Sequence, residues 1–101
     1  MILREWRGRA TSSNASAYPQ HFRARVLPEL NNLAGFLGAT LSQRHLDDLI
    51  EFVVLTRWES IEAIQAFAGS DVSRAVVEPE AVAALVNYDE RVQHYDVIET
   101  S

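Results

Sequence analysis

Imidazole is the side chain that titrates closest to neutral pH, so the three histidines are the first candidates for proton-transfer chemistry. His94 lies in the C-terminal stretch QHYDV, on the same predicted strand face as Val92 and Ile98. His21 lies in a helical pattern, beside its apolar stripe, whereas His45 lies in a polar turn and is expected to be solvated. We take His94 and His21 as candidate catalytic bases. A purely structural hydrogen bond is the competing interpretation for each.

Large aromatic side chains recur at positions that can converge on the space between a sheet and its helices. Such rings can form the walls of a pocket for a flat apolar molecule, but at strand and helix spacing they can equally be ordinary core, because each buries a large area. Trp58 raises this question most directly, since it ends a strand-like run in LTRWESIEAIQAFAG. The candidate substrate-binding residues are Trp6, Tyr18, Phe22, Trp58 and Phe67.

Other kinds of site have little support in the sequence. The histidines are scattered, cysteine is absent, and no His/carboxylate pair has the spacing of a metal site, so we predict no metal. There is no glycine-rich phosphate loop and no GxSxG nucleophile motif. Arg4 and Arg57 can hold an anionic oxygen, but we expect surface or interface ion pairs for both.

The whole-chain properties are those of one globular domain spanning residues 1–101. A net charge of −5, with arginines spread along the chain, argues against a nucleic acid or an anionic membrane as partner. No apolar run is long enough to span a membrane, and the first residues lack the pattern of a signal peptide. With no cysteine to require an oxidising compartment, we expect a cytoplasmic protein.

Hydrophobic periodicity divides the chain into alternating strands and helices. Pro28 is expected to kink the first helix, and Ser60 is expected to cap the second one, which Gly69 ends. The predicted elements are a strand over 2–8, a helix over 17–30, strands over 35–44 and 49–59, a helix over 61–68, a short helix from Pro79 and a strand over 91–99.

This order is the ferredoxin-like βαββαβ pattern, an α+β fold in which a four-stranded antiparallel sheet carries its helices on one face. The second face would be left in water with several large aliphatic side chains on it. We therefore predict a two-fold homodimer in which this face is buried against its copy. The side chains assigned to it are Leu3, Leu37, Leu41, Leu49, Val53 and Leu55.

Four stretches of the chain resemble one family. They are REWRG near the start, the helix YPQHFRARVLPEL followed by NNLAGF, the segment FVVLTRWESIEAIQAFAG, and VQHYDV near the end. Together they resemble the antibiotic biosynthesis monooxygenase (ABM)-like superfamily of dimeric α/β barrel proteins. The resemblance spans nearly the whole chain and implies a homodimer with a pocket in each subunit, between the sheet and its helices.

Some members of that superfamily oxygenate polycyclic phenols without metal or flavin, others are quinol monooxygenases or degrade haem, and many have no assigned role. The haem-degrading branch does not fit, because its tryptophan aligns with Phe67 and its iron-ligating histidine falls at Val77. The resemblance thus implies a cofactor-independent monooxygenase acting on a small apolar phenolic or quinol-type aromatic. A non-catalytic ligand-binding or stress-associated dimer remains an alternative, as does isomerase or decarboxylase chemistry in the same barrel.

Overall fold

The computed structural model describes residues 1–101 and shows one antiparallel sheet with all helices on one face. Its order is β2-β3-β1, and two short strands share the far edge of β1, with β5 along its first half and β4 along its second half. This confirms the α+β, ferredoxin-like architecture. The strands are β1 (Ile2–Thr11), β2 (Phe36–Leu46), β3 (Leu49–Trp58), β4 (Asn87–Tyr88) and β5 (Gln93–Asp96).

The last predicted strand differs from the observed one. Instead of one strand over 91–99, the edge is formed by β4 and the shorter β5, and Ile98 lies beyond β5 with 96 % of its surface exposed. Ile98 therefore does not share the buried strand face on which we placed it with His94.

The long hairpin of β2 and β3 forms the other half of the sheet. Two residues connect the strands, and Asp47 adopts a left-handed conformation (φ 55°) that aspartate tolerates better than most residues. On β3, every second side chain from Ile50 to Trp58 faces the helices and is buried, as its alternation predicted.

The first helical region is continuous from residue 17 to residue 31 but changes its geometry twice. It consists of α1 (Ala17–His21), a π-helical segment (Phe22–Val26) and α2 (Leu27–Asn31). Pro28 lies in the first turn of α2, and the N–H of Leu27 reaches five residues back to the carbonyl of Phe22. The expected disturbance at Pro28 is therefore a widened turn just before the proline, which has no N–H to donate.

The second predicted helix is present as α3 (Ile61–Ala68). The Ser60 hydroxyl accepts a hydrogen bond from the N–H of Ala63 at 3.2 Å, which confirms the predicted cap. Gly69 ends the helix at a φ of 87°, a conformation that favours glycine. An irregular segment over residues 69–78, here called the strap, then crosses above the sheet.

The short helix α4 (Pro79–Ala84) starts at its proline as predicted, but its buried face is different. Ala81 and Ala84 are buried, whereas Val82 and Val86 are about half exposed. The backbone becomes extended directly after Ala84, so the i, i+3, i+4 face that the spacing of Val82, Leu85 and Val86 predicts does not form. The small alanine side chains allow α4 to pack closely on α1.

Two hydrophobic clusters fill the space between the sheet and the helices. The larger one contains Trp6, Tyr18, Phe22 and Phe52. The smaller one surrounds Trp58, which has no exposed surface and packs with Leu30 and Ile64. The cavity described below lies where these two clusters meet, beneath the strap.

The opposite face of the sheet, here called the open face, carries charged side chains among its aliphatic ones. Leu41 does not belong to it, because this residue pairs with Val54 and packs into the larger core cluster. Glu51 lies at its centre and is only 3 % exposed. Three guanidinium groups enclose this carboxylate, those of Arg7 at 3.3 Å, Arg9 at 3.1 Å and Arg44 at 2.7 Å.

Candidate functional site

A partly enclosed cavity of about 60 Å³ lies between β1 and β3 on one side and the helices and strap on the other. Ten of its fifteen lining residues are hydrophobic. A single water molecule needs roughly 10–15 Å³ of such space, so the cavity has room for a few small-molecule atoms. A ligand of about one aromatic ring is the largest that this space favours.

Aromatic side chains form much of the cavity wall. Trp6 and Tyr18 contact each other with ring centroids 5.5 Å apart, and Phe67 of α3 lines another side. The indole N–H of Trp6 donates to the carbonyl of Asp89 at 2.9 Å, which fixes the ring. Burial, together with the charge of Glu78, raises the pKa of Tyr18, so its hydroxyl keeps its proton at neutral pH.

Arg4 is the charged residue of the cavity wall that is most deeply buried, at 4 % exposure. Its guanidinium donates to the carbonyl oxygen of Val72, to that of Arg74 at 2.8 Å and to His94 Nε2 at 3.0 Å. The same group lies 5.7 Å from the centre of the Phe67 ring. Burial lowers the pKa of Arg4 to about 10. The expected surface or interface ion pair is therefore wrong for Arg4, whose partners are neutral.

His94 lies behind Arg4 rather than on the cavity. Because a guanidinium can only donate, Nε2 of His94 accepts the hydrogen bond and the ring proton of the neutral imidazole resides on Nδ1. Burial and then the charge of Arg4 lower the pKa of His94, which favours this neutral form. Its position supports a role in orienting Arg4, and direct proton transfer from a ligand stays a prediction.

His21, by contrast, lines the cavity directly. Its Nε2 is buried and has no hydrogen-bond partner in the protein. Buried polar atoms without a partner are rare, because each forfeits the hydrogen bonds that it would make to water. The ring lies next to Tyr18, with centroids 6.3 Å apart. A bound molecule that carries an O–H group would supply the missing partner.

The remaining predicted site residues lie elsewhere. Phe22 packs in the larger core cluster, and Trp58 is buried beneath the cavity without lining it. Trp58 is connected to the cavity wall through Thr56, which lines the cavity. The indole N–H of Trp58 donates to the hydroxyl of Thr56 at 2.8 Å. His45 is exposed, as expected. A substrate-binding role for Trp6, Tyr18 or Phe67 is compatible with their placement but stays a prediction.

Sequence reasoning missed the burial of Arg4, the part played by the strap and the contribution of Thr56. One signal was available, since Arg4 alternates with Trp6 on β1 and must share its face. No group of His, Cys, Asp and Glu side chains is arranged to hold a metal ion. None of the helices has the length and apolar character that crossing a membrane requires.

Comparison with known proteins places this geometry in a family context. Residues 1–79 match the sequence model of the antibiotic biosynthesis monooxygenase family. A search of curated proteins finds no match. Solved structures with a similar fold include a Bacillus cereus protein named as a putative antibiotic biosynthesis monooxygenase. It is 19 % identical to this chain with a TM-score of 0.68, and the alignment covers 99 % of this chain and 95 % of that one.

Two further structures represent different activities on the same fold. The haem degrader MhuD of Mycobacterium tuberculosis, with two haems in its active site, is 20 % identical with a TM-score of 0.63, covering 100 % of this chain and 99 % of that one. The ActVA-Orf6 monooxygenase of Streptomyces coelicolor, bound to nanaomycin D, is 18 % identical with a TM-score of 0.59, covering 99 % and 92 %. At these identities the likeness establishes the fold.

Proposed function

We propose that this chain, which belongs to the antibiotic biosynthesis monooxygenase family, is a cofactor-independent monooxygenase of small, single-ring phenols or quinols. Family membership supports monooxygenase-type activity. The substrate class is inferred from the cavity, which is small and mostly apolar and has Trp6, Tyr18 and Phe67 in its wall. The wall also contains one imidazole without a hydrogen-bond partner, that of His21. Space for about one ring favours a monocyclic substrate over a polycyclic one.

The chemistry requires the substrate itself to supply electrons to O₂. A quinol is oxidised to a hydroxyquinone while one oxygen atom of O₂ enters a ring carbon and the other leaves as water. All four electrons come from the ring, so no external reductant is needed. The protein must favour the ionised quinol, hold it in an apolar space and exclude water from the reacting carbon.

The cavity residues match these tasks. His21 Nε2 is free to accept the proton of a quinol O–H, and this imidazole is the only one on the cavity wall. The hydroxyl of Tyr18, kept protonated by burial, can donate to an oxygen of the ring as negative charge develops there. The faces of Trp6 and Phe67 are available to pack against the ring.

The proposal includes a homodimer formed through the open face. Leu3, Val53 and Leu55 are partly buried there and would be covered by a second copy, and one protein of similar fold is named as a dimeric ferredoxin-like protein. Sedimentation at micromolar concentration should give twice 11.4 kDa, and a species of 11.4 kDa alone would contradict the dimer. The cysteine-free composition favours a cytoplasmic location.

Oxygen consumption by metal-free protein tests the proposed activity. Methylhydroquinone and related single-ring quinols should raise the rate of O₂ uptake, and mass spectrometry should find one atom of ¹⁸O₂ in the product. His21→Ala should lower this rate by about 100-fold or more, the usual contribution of a positioned general base. His45→Ala is the matched control, because that histidine is exposed, and it should keep the wild-type rate.

The outcomes separate the competing interpretations. Saturable binding of quinols with no O₂ uptake by the wild-type chain would contradict the monooxygenase and favour the ligand-binding dimer. Uptake that is unchanged in His21→Ala would leave the activity in place and reject His21 as the base. Loss of a proton or of CO₂ without O₂ uptake would instead favour isomerase or decarboxylase chemistry.

A further inference from the structure

Arg4 is a buried cation for which the protein provides no anion. The ion pairs of the chain join Arg7, Arg9, Arg44 and Arg91 to carboxylates, and none involves Arg4. Removing a charge from water is costly unless an opposite charge or a full set of hydrogen bonds replaces the lost hydration. Two carboxylates line the cavity, those of Glu29 and Glu78, but neither pairs with this guanidinium.

The hydrogen bonds of Arg4 are also incomplete. A guanidinium has five N–H donors, and the protein supplies acceptors for three of them, in Val72, Arg74 and His94. The Nε–H and one N–H on the terminal nitrogen that bonds Arg74 have no protein acceptor. A guanidinium with free donors can bind the oxygens of a carboxylate.

The neighbours of Arg4 hold this cation in place without neutralising it. The two carbonyls belong to the strap, and His94 accepts from the sheet side as a neutral imidazole. The guanidinium also lies over the ring of Phe67, another cavity residue. A rigidly held, desolvated cation at the wall of an apolar cavity is preorganised for an anionic ligand.

We infer that the ligand of this cavity is an aromatic acid, a phenol or quinol whose ring also carries a carboxylate, and that Arg4 binds the carboxylate while His21 receives the phenolic O–H. The inference rests on the proposed function for the identity of the site, and it adds the charge of the substrate. It also gives the ligand an orientation, because Arg4 projects from β1 and His21 from the end of α1.

Calorimetric titration under argon tests the inference without turnover. The probes are 2,5-dihydroxybenzoate, which is an anion, and its methyl ester and unsubstituted hydroquinone, which share its ring but are neutral. The wild-type chain should bind the acid at least about tenfold more tightly than the ester, as expected for one charge-assisted hydrogen-bonded pair. Equal affinity for acid and ester would overturn the inference.

Variants then assign the preference to Arg4. Arg4→Gln should bind the acid and the ester equally, whereas Arg4→Lys should keep part of the preference because it keeps the charge. Arg25→Gln is the matched control, since it removes the same charge from an exposed position on the π-helical segment. Circular dichroism of each variant establishes that the fold is kept. A preference for the acid that survives in folded Arg4→Gln would contradict the assignment.

The binding experiment and the O₂-uptake experiment test separate claims, the charge of the ligand and the monooxygenase activity. Tight, Arg4-dependent binding of the acid without O₂ uptake would keep this inference and reject the monooxygenase. Uptake of O₂ with hydroquinone at the same catalytic efficiency as with the acid would keep the monooxygenase and reject the aromatic acid as substrate.

Discussion

The two faces of the sheet each bury one charged side chain, and they treat it differently. Arg4 on the helix side and Glu51 on the open face are exposed to nearly the same small extent, 4 % and 3 %. Glu51 is enclosed by three guanidinium groups, whereas Arg4 has two carbonyls and one neutral imidazole. The charge of Glu51 is thus neutralised within the fold, while that of Arg4 remains available to a ligand.

Sheet register produces this difference. Glu51 lies directly opposite Arg9 on β1 and opposite Arg44 on β2, so two cations flank it across neighbouring strands. Arg4 lies opposite Thr56 on one side and His94 on the other, neither of which is an anion. Cross-strand neighbours are the closest side chains in a sheet, and they decide which charges are paired. The register therefore leaves Arg4 without an anion on either neighbouring strand.

The largest effect is expected from removing Glu51. Glu51→Ala leaves three arginines on one face without their shared anion, and we expect it to lower the free energy of unfolding by about 3 kcal/mol. Urea denaturation measures this loss. Glu5→Ala is the control, because Glu5 makes a single 3.6 Å pair with Arg7 and should cost only about 0.5 kcal/mol. Equal losses would mean that the Glu51 cluster is no more than ordinary surface pairing.

A smaller effect is expected from Arg4→Gln. The variant loses hydrogen bonds to two strap carbonyls but also removes a desolvated charge without an anion, and we expect a net loss of about 1 kcal/mol in the free energy of unfolding. The same urea titration applies. If Arg4→Gln costs more than Glu51→Ala, Arg4 is mainly a structural tie between the strap and the sheet, and the contrast between the two faces fails.

The stability of the fold at acid pH gives a second test of how strongly Glu51 is paired. Burial by itself raises the pKa of Glu51, but hydrogen bonds from Arg44 and Arg9 and their charges outweigh it, and the net pKa is lowered. A carboxyl with a lower pKa in the folded chain stabilises the fold above its unfolded pKa, and this stabilisation is lost as the pH falls through the folded value. Glu51→Gln should therefore flatten the loss of stability at acid pH, measured as the unfolding midpoint between pH 2 and pH 6.

The smallest expected effect is the contribution of His94, the neighbour of Arg4, to the pH dependence of stability. Burial and the neighbouring cation lower its pKa, so the unfolded chain takes up a proton at a pH where the folded chain does not. Stability should fall as the pH drops below about 6.5, the usual value for imidazole, and level off below the folded pKa. Thermal unfolding of wild type and His94→Gln between pH 5 and pH 8 checks this, and a slope that persists in the variant would assign it to another group.

Local patterns in the sequence were sufficient for most of the fold. Alternation predicted the buried face of β3, Ser60 and Gly69 marked the ends of α3, and the order of elements predicted the ferredoxin-like sheet. The errors occurred where a backbone irregularity or a segment distant in sequence decides burial. Leu41 was assigned to the wrong face because a bulge near Gly38 shifts the register of β2, which no local pattern indicates.

The site was less predictable than the fold for the same reason. Tyr18, Trp6, Phe67 and His21 were predicted as site residues and line the cavity, whereas Trp58 and Phe22 do not. Apolar spacing shows that a ring faces the core but not whether it meets a cavity or other side chains. The strap over residues 69–78 has no periodic pattern, so its position above Arg4 could not be anticipated.

The sequence by itself determined the order of the main elements, the cap and the end of α3, the buried face of β3 and the family, because these depend on spacing along the chain. Only the tertiary structure decided that Arg4 is buried beside neutral partners and that Glu51 is surrounded by cations. Burial and pairing of a charge depend on strands and loops that are distant in sequence, since His94 and Val72 reach Arg4 from 90 and 68 residues away. The charge that a ligand must match is therefore a property of the assembled fold.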